Sequence, residues 1–393
     1  MRALIKEKSV LFVNRVFPPD HGPTGRVTAE LSDYLTKNGW QVSIISLTEH
    51  NRQSKHALAD PALRHYPIKH KGECRSKFDI MLGLLKILFK ILSIRKHSII
   101  VTLTDPPMLV SVGRLGAKLK GAKHVHWVHD LYPDLLPILK YDISDKKLQL
   151  LKNISRKDMK SADQLVTIGR CMDKHLKHTG IDPSRMTIIE NWAPKALFEN
   201  DAPEPAATDK FRVIYAGNMG KAHDIGTILA AAQALDTTHP EIEFVFVGNS
   251  NGHKFLMEQR AKHGLQNMRF LPPQPDAKLS ALLKHGDVHL VTQKESSLGL
   301  LVPCKFYSIM AVNRPAIYIG PEKSELGKVI RQAGCGDVIA PKDRQALIDA
   351  ILKYRHDAKE WHDAQQATEA VNHIYNPEKS FEKWLKTLNA LIG

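Results

Sequence analysis

Two runs, residues 211–218 and 242–249, constrain this chain most. FRVIYAGN and IEFVFVGN each pass from β-branched and aromatic residues straight into Gly-Asn. The first is followed by Gly220 and a helix-period run over 225–235, the second by Gly252 and a helix-like stretch over 253–263. Such a β-α-β-α rhythm, with glycines where strands end, belongs to an open parallel sheet, and such sheets bind nucleotides at the carboxyl ends of their strands.

A chain of 393 residues is too long for one ordinary compact domain and suits two of about 200 each. No run approaches the ~18 apolar residues of a membrane span, and the N-terminal MRALIKEKSVLFVN passes from charge into a strand without a small-residue cleavage site. A cytoplasmic protein is expected. Cys74, Cys171, Cys304 and Cys335 lie far apart, which argues against a disulfide framework and a structural zinc site. Charge is uneven: residues 1–200 hold 33 Lys+Arg against 19 Asp+Glu, a balance of +14, so nearly all of the net +15 sits in the first half. A basic half points to an anionic partner such as a membrane, a phosphate-bearing lipid or nucleic acid. Nucleic acid ranks low, since no aromatic-interleaved basic strand or recognition module appears.

Strands are expected at 10–14, at QVSIISL, and at 98–102, 124–127, 164–168 and 187–191. A second series falls at 213–216, 243–247, 268–271, 288–291, 316–319 and 336–339. ENDAPEPAATDK, residues 199–210, has no apolar period and reads as a linker. The expected division is therefore 1–198, 199–375, and a C-terminal amphipathic segment, 376–393, that can pack back on the first domain. The architecture is α/β, two doubly wound domains without a sequence repeat.

Several residues could carry chemistry. The loop PPDHGPTG, with Gly22 and Gly25, ends a strand and opens a helix, so its N–H groups can face an anion or a sugar, although it lacks GxGxxG spacing. VHWVHDLYPD puts His129 and Asp130 at the end of an apolar strand, where they can hydrogen-bond hydroxyls; Asp134 fits equally well as a cap. In LVPCKFYSIMA a helix start at Pro303 places Lys305 in the first turn, against the dipole preference for acids, which makes sense if that end holds a diphosphate. Residues 78–96, FDIMLGLLKILFKILSIRK, confine Asp79, Gly83, Lys86, Lys90 and Ser93 to one narrow stripe of a helix apolar elsewhere. Burial at a membrane interface, helped by Lys77, Lys86, Lys90, Arg95 and Lys96, competes with a helix wedged in the core.

Together these motifs, with IIENWAP, VIYAGNMGKAHDIGTILAA and LLVPCKFYSIMAVNRPAI, resemble the retaining GT-B glycosyltransferases of family four, and most closely the branch holding colanic-acid and exopolysaccharide fucosyltransferases. The resemblance implies two Rossmann-like domains facing a cleft, no metal, no cofactor beyond the UDP- or GDP-sugar donor, and donor binding mostly by the C-terminal domain. By carry-over, Gly22 and Gly25 would lie by the diphosphate and sugar, and His129 and Asp130 by the sugar. Gly217, Asn218 and Lys221 would approach the phosphates, Pro272 would flank the base, and Lys305 with Leu301, Val302 and their neighbours would hold the leaving diphosphate. The family's Glu-x7-Glu pair falls on Leu300 and Ser308 here; Glu295 is the nearest replacement for the first. The family's arginine and lysine fall on Asn218 and near Ala222, one residue from Lys221.

The expected activity is retaining transfer of a sugar to a growing surface polysaccharide on a polyprenyl-diphosphate lipid, at the anionic inner face of the cell membrane. A UDP-N-acetylglucosamine 2-epimerase-like enzyme and a catalytically inert GT-B partner subunit are the alternatives.

Overall fold

The computed structural model describes residues 7–20, 22–48, 60–70, 76–199, 202–206 and 208–393. Cys74 and His21 lie outside them. The chain divides into two compact units.

The first unit comprises 1–137, 141–190 and 378–393. It carries seven strands: β1 (Ser9–Val13), β2 (Gln41–Thr48), β3 (Leu63–Lys69), β4 (Ile99–Thr102), β5 (Lys123–Val128), β6 (Gln164–Thr167) and β7 (Met186–Ile188), paired in the order β3-β2-β1-β4-β5-β6-β7. Every pair is parallel. Because β1 and β2 are buried along nearly their whole length, both faces must be covered, and helices between strands do this. The order in which strands are added reverses between β1, whose Val10 pairs with Ile99, and β4; this is the switch point where a crevice opens beyond the strand ends. β3 has no counterpart among the expected strands. LRHYPIK carries Arg64, Pro67 and Lys69, and such a segment is tolerated where it lies, at the sheet edge. The strand expected at 187–191 is shorter, ending at Ile188.

The second unit, 138–140 with 191–377, has six parallel strands: β8 (Phe211–Ala216), β9 (Ile242–Val247), β10 (Met268–Leu271), β11 (Val288–Thr292), β12 (Ala316–Ile319) and β13 (Gly336–Ile339), in the order β10-β9-β8-β11-β12-β13. Its switch point lies between β8 and β11. One core joins Val213, Tyr215, Phe244, Phe246 and Leu290 to Ile228, Leu235, Leu347 and Ile351 from the helices Gly226–Leu235 and Arg344–His356.

Two boundaries differ from the expected ones. The division falls after Glu190 and not after residue 198, because Asn191, Trp192 and Ala193 are buried with the second unit. The described part of 199–210 is not a free linker: buried Arg314 pairs with Glu204, and Lys284 Nζ donates to Ala202 O at 2.6 Å. The last helix, Pro377–Ile392, belongs with the first unit, where Trp384 lies 4.6 Å from Trp127, Phe381 lies 5.1 Å from Tyr34, and Ser380 Oγ donates to Glu190 O at 3.0 Å.

Candidate functional site

In the second unit β8 ends at Ala216 and the chain turns at Gly217 with φ +108°, a conformation that side chains disfavour. A Cβ there would stand 2.8 Å from Lys305 Cε. The missing side chain thus leaves room for the lysine. Lys305 opens the helix Lys305–Ala311, two residues later than the start expected at Pro303, with Cys304 as N-cap and no side chain capping the end. Its Nζ donates to Asn218 O at 3.0 Å and lies 5.0 Å from the Tyr215 ring centroid. Tyr215 Oη donates to the same oxygen at 3.0 Å. Half-buried His223 donates from Nδ1 to Thr292 O at 2.9 Å; burial, and then the Lys305 charge, hold its pKa at about 4, so it is neutral. Lys305 is thus a cation at this strand end, and a half-buried ammonium seated beside Asn218 O is suited to an anion.

Across the switch point, β11 runs into buried Gln293, a residue without a distinctive motif. Its Nε2 donates to Ser297 O at 3.0 Å and Leu301 O at 3.3 Å, while its Oε1 accepts from Tyr318 Oη at 2.7 Å; Tyr318 Oη in turn accepts from Ser324 Oγ at 2.9 Å. This network fixes the loop before Lys305. Only its place, one residue beyond a strand at a switch point, could have singled out Gln293. Glu295 is exposed in the 3-10 turn Glu295–Ser297 on that loop; Val302 is buried, and Leu301 and Ser308 are half-buried.

Not every expected residue converges on this place. Lys221 Nζ donates to Leu139 O at 2.7 Å. Exposed Pro272 follows β10, the edge strand, two strands from β8 and so about 10 Å to the side at the usual spacing. Gly217, Asn218 and Lys305 do come together.

In the first unit, buried Asn14 follows β1 and donates to Val16 O at 2.7 Å and Thr24 Oγ1 at 3.0 Å. This draws the loop onto the helix Pro23–Lys37. Gly22 and Gly25 have a packing role there: a Cβ on either would stand 3.0 Å from Val16 Cγ1, and one on Gly25 would also meet Val16 O at 3.0 Å. Arg15 Nε reaches both oxygens of Asp105, at 2.9 and 2.8 Å, tying the ends of β1 and β4 across the switch point. Neither was legible as a pair. Asp130 is half-buried, its N–H 3.3 Å from Thr104 Oγ1; burial, and then the Asp105 charge, raise its carboxyl to about 6. His129 is buried 4.6 Å from Trp127, and burial lowers its pKa to about 3. Asp134 is ion-paired with Lys152 and Arg156 of the helix Asp145–Lys160.

The helix expected at 78–96 spans Lys77–Ser93, capped by Ser76, whose Oγ accepts from Asp79 N at 3.0 Å. Gly83, Ile87 and Ile91 are buried, whereas Phe78, Met81, Leu85, Phe89 and Leu92, at steps of 3, 4, 4 and 3, are exposed. It is not wedged inside the core. The neighbouring helix Leu109–Lys120 approaches so closely that a Cβ on Gly116 would lie 2.9 Å from Ile91, and it exposes Leu115 and Leu119; the next, Asp145–Lys160, exposes Leu150 and Ile154. The basic residues lie beside this surface. Lys86 Nζ donates to Lys69 O, Lys90 lies over Tyr66, Lys77 donates to Asp142 O, Arg95 pairs with Glu7, and Lys96 is exposed.

Comparison with known proteins agrees with this architecture. The family model described as Glycosyltransferase Family 4 matches residues 24–194, and that described as Glycosyl transferases group 1 matches 198–371. WbjE of Pseudomonas aeruginosa, assigned as a glycosyltransferase, is 32% identical over 65% of this chain and 66% of its own length. WcaI of Escherichia coli K12, assigned to colanic acid biosynthesis as a glycosyl transferase, is 30% identical over 61% of each chain. The chain thus spans somewhat less than two thirds of these relatives. Anabaena HepE, solved with UDP and glucose, has a TM-score of 0.71 over 98% of this chain and 100% of its own, at 12% identity, a likeness of fold. Both units have the parallel α/β form of GT-B glycosyltransferases. The two family models leave few residues outside them, and the chain belongs to the family 4 glycosyltransferases.

Proposed function

We propose that this protein is a retaining glycosyltransferase that moves a sugar from a UDP- or GDP-sugar to a growing, lipid-linked surface polysaccharide at the inner face of the cell membrane. The observation that carries the proposal is the seating of Lys305 against Gly217 and Asn218 at the switch point of the second unit. Breaking a sugar–phosphate bond leaves an extra negative charge on the departing diphosphate, and a fixed ammonium stabilises that charge more than the ground state. Rigidity matters here: Tyr215 and the Gln293 network fix the two chain segments that flank the ammonium. A front-side displacement needs no general-base side chain and no metal, so none is assigned. Asp130 and His129 are assigned to hydroxyls of the transferred sugar, with Ser308 where the family carries its second glutamate and Glu295 as the nearest replacement for the first.

The acceptor side rests on the first unit. Its exposed apolar face, Phe78, Met81, Leu85, Phe89 and Leu92 with Leu115 and Leu119, suits a lipid surface, and its balance of +14 suits anionic headgroups. WcaI, assigned to colanic acid biosynthesis, supports the acceptor class. HepE, solved with UDP and glucose, supports a UDP donor over GDP only by analogy of fold.

The test is turnover of UDP- and GDP-sugars by the purified protein with and without polyprenyl-diphosphate glycans in vesicles. Nucleoside diphosphate released only with acceptor, and product with the anomeric configuration of the donor, is the expected outcome. Turnover of donor alone would favour the epimerase alternative; no turnover with any donor, the inert partner.

A further inference from the structure

At the opposite end of the second unit, three ligand-bearing side chains meet without serving the site above. The potential ligand atoms of His239, Glu241 and His356 all lie within 4.8 Å of one another. His239 and Glu241 flank Pro240 on the turn entering β9, and His356 is the last residue of the helix Arg344–His356. β9 runs from this end to the switch-point end, about 17 Å away at the usual rise per residue.

From this convergence we infer a zinc site made by His239, Glu241 and His356, which clasps the helix Arg344–His356 to the turn before β9. Two imidazoles and a carboxylate are a donor set that zinc takes with a fourth position left to water. Tetrahedral coordination at about 2.0–2.1 Å would bring the ligand atoms to about 3.3 Å from each other, a closure that side chains at the surface reach by rotation.

The surroundings select the metal-binding tautomer. Thr238 Oγ1 donates its proton to Ala234 O at 3.0 Å, so toward His239 Nδ1, 3.0 Å away, it acts as acceptor. Nδ1 therefore carries the hydrogen and Nε2 presents its lone pair, the role that supporting hydrogen bonds play around ligating histidines. Lys210 Nζ holds Pro240 O at 2.7 Å, fixing the turn between the two ligands. Field direction favours a cation as well: His356 ends one helix, and His239, whose N–H bonds Leu235 O at 2.9 Å, follows the end of another, Gly226–Leu235. Both helix ends are negative poles.

The two helices pack against one another over the core of the sheet, and a bound ion would add a cross-link between their ends.

The experiment uses the full chain, stripped with a chelator and titrated at pH 7.5 with zinc against a chromogenic competitor. Wild type is expected to take up one zinc with at least tenfold higher affinity than the His239→Ala/His356→Ala double variant, with Glu241→Gln between them and magnesium not bound. Zinc should raise the Tm of wild type and leave that of the double variant unchanged, while the two metal-free proteins melt alike. Zinc uptake by the double variant equal to wild type would assign it to other histidines of the 20 in the chain and overturn the site. No uptake by wild type would overturn it too. UDP or GDP binding that is the same with and without zinc supports the separation of this site from Lys305; binding lost on zinc removal contradicts it.

Discussion

Lys305 can sit over the end of β8 only because residue 217 has no side chain. In Gly217→Ala the new methyl would meet Lys305 Cε at 2.8 Å in a backbone at φ +108°. Left-handed strain at such a position costs on the order of 1 kcal/mol or more, and the lysine must move as well. The variant is expected to melt a few degrees lower and to bind nucleoside diphosphate at least tenfold more weakly, as read by thermal shift and calorimetry. Full affinity in this variant would show that the lysine's present seat is not its working one. Gly22 and Gly25 differ in this respect: what they prevent is a clash with Val16 inside the first unit. Glycines in a loop signal close approach in sequence, but not whether ligand or protein makes the approach.

Among the elements, the helix Lys77–Ser93 shows most plainly where reading by pattern reaches and stops. Its polar stripe is visible in sequence and lies where Lys86 and Lys90 meet Lys69 and Tyr66 of the edge strand. Which apolar face the sheet would cover is a tertiary matter. Ile87 and Ile91 are covered, Phe78 and Phe89 are 65% and 69% exposed, and so the outward face awaits a partner. A Phe78→Ser/Phe89→Ser variant should keep its stability within about 0.5 kcal/mol, since surface positions contribute little. It should lose most of its binding to anionic vesicles in a flotation assay, where wild type floats. Wild type that stays in solution, or a variant that floats equally, would remove the membrane assignment. The same contrast holds elsewhere. β8, β9, β11 and β12 are legible because their runs are mostly apolar and β-branched or aromatic, and β8, β9 and β12 run into a glycine, whereas β3 is hidden by Pro67 and its charges. At the site, Lys305, Gly217 and Asn218 are legible because a helix start and two strand ends bracket them; Gln293, Tyr318 and the Arg15–Asp105 pair depend on neighbours that only the folded sheet supplies.

The whole molecule should respond to acid unevenly. Burial lowers His65, His97 and His124 to about 4 and His126 and His129 to about 3 in the first unit, against His223 and His289 at about 4 in the second. Unfolded histidine titrates near its ordinary value of about 6.5, so below that pH the unfolded chain binds more protons than the folded one. Stability therefore falls as pH drops through 6.5 and continues to fall toward the folded values. Asp130 acts the other way: raised from 3.8 to about 6, it is protonated first in the folded state and partly offsets one histidine between those values. Burial also lowers His70 and His175 in the first unit and His253 in the second; among the described residues, seven histidines against three leave the first unit the more acid-labile, and hydrogen exchange read by mass spectrometry between pH 7 and 5 should show it losing protection before the second. Loss of protection in both together, or in the second unit first, would contradict this. On the proposed function, the second unit holds the diphosphate of a nucleotide sugar through Lys305. Calorimetric titration of the protein and of its Lys305→Ala variant with UDP and with GDP tests it. Micromolar binding of one nucleotide, weakened at least tenfold in the variant, is the predicted result; equal binding by both proteins, or binding of neither nucleotide to wild type, would contradict it.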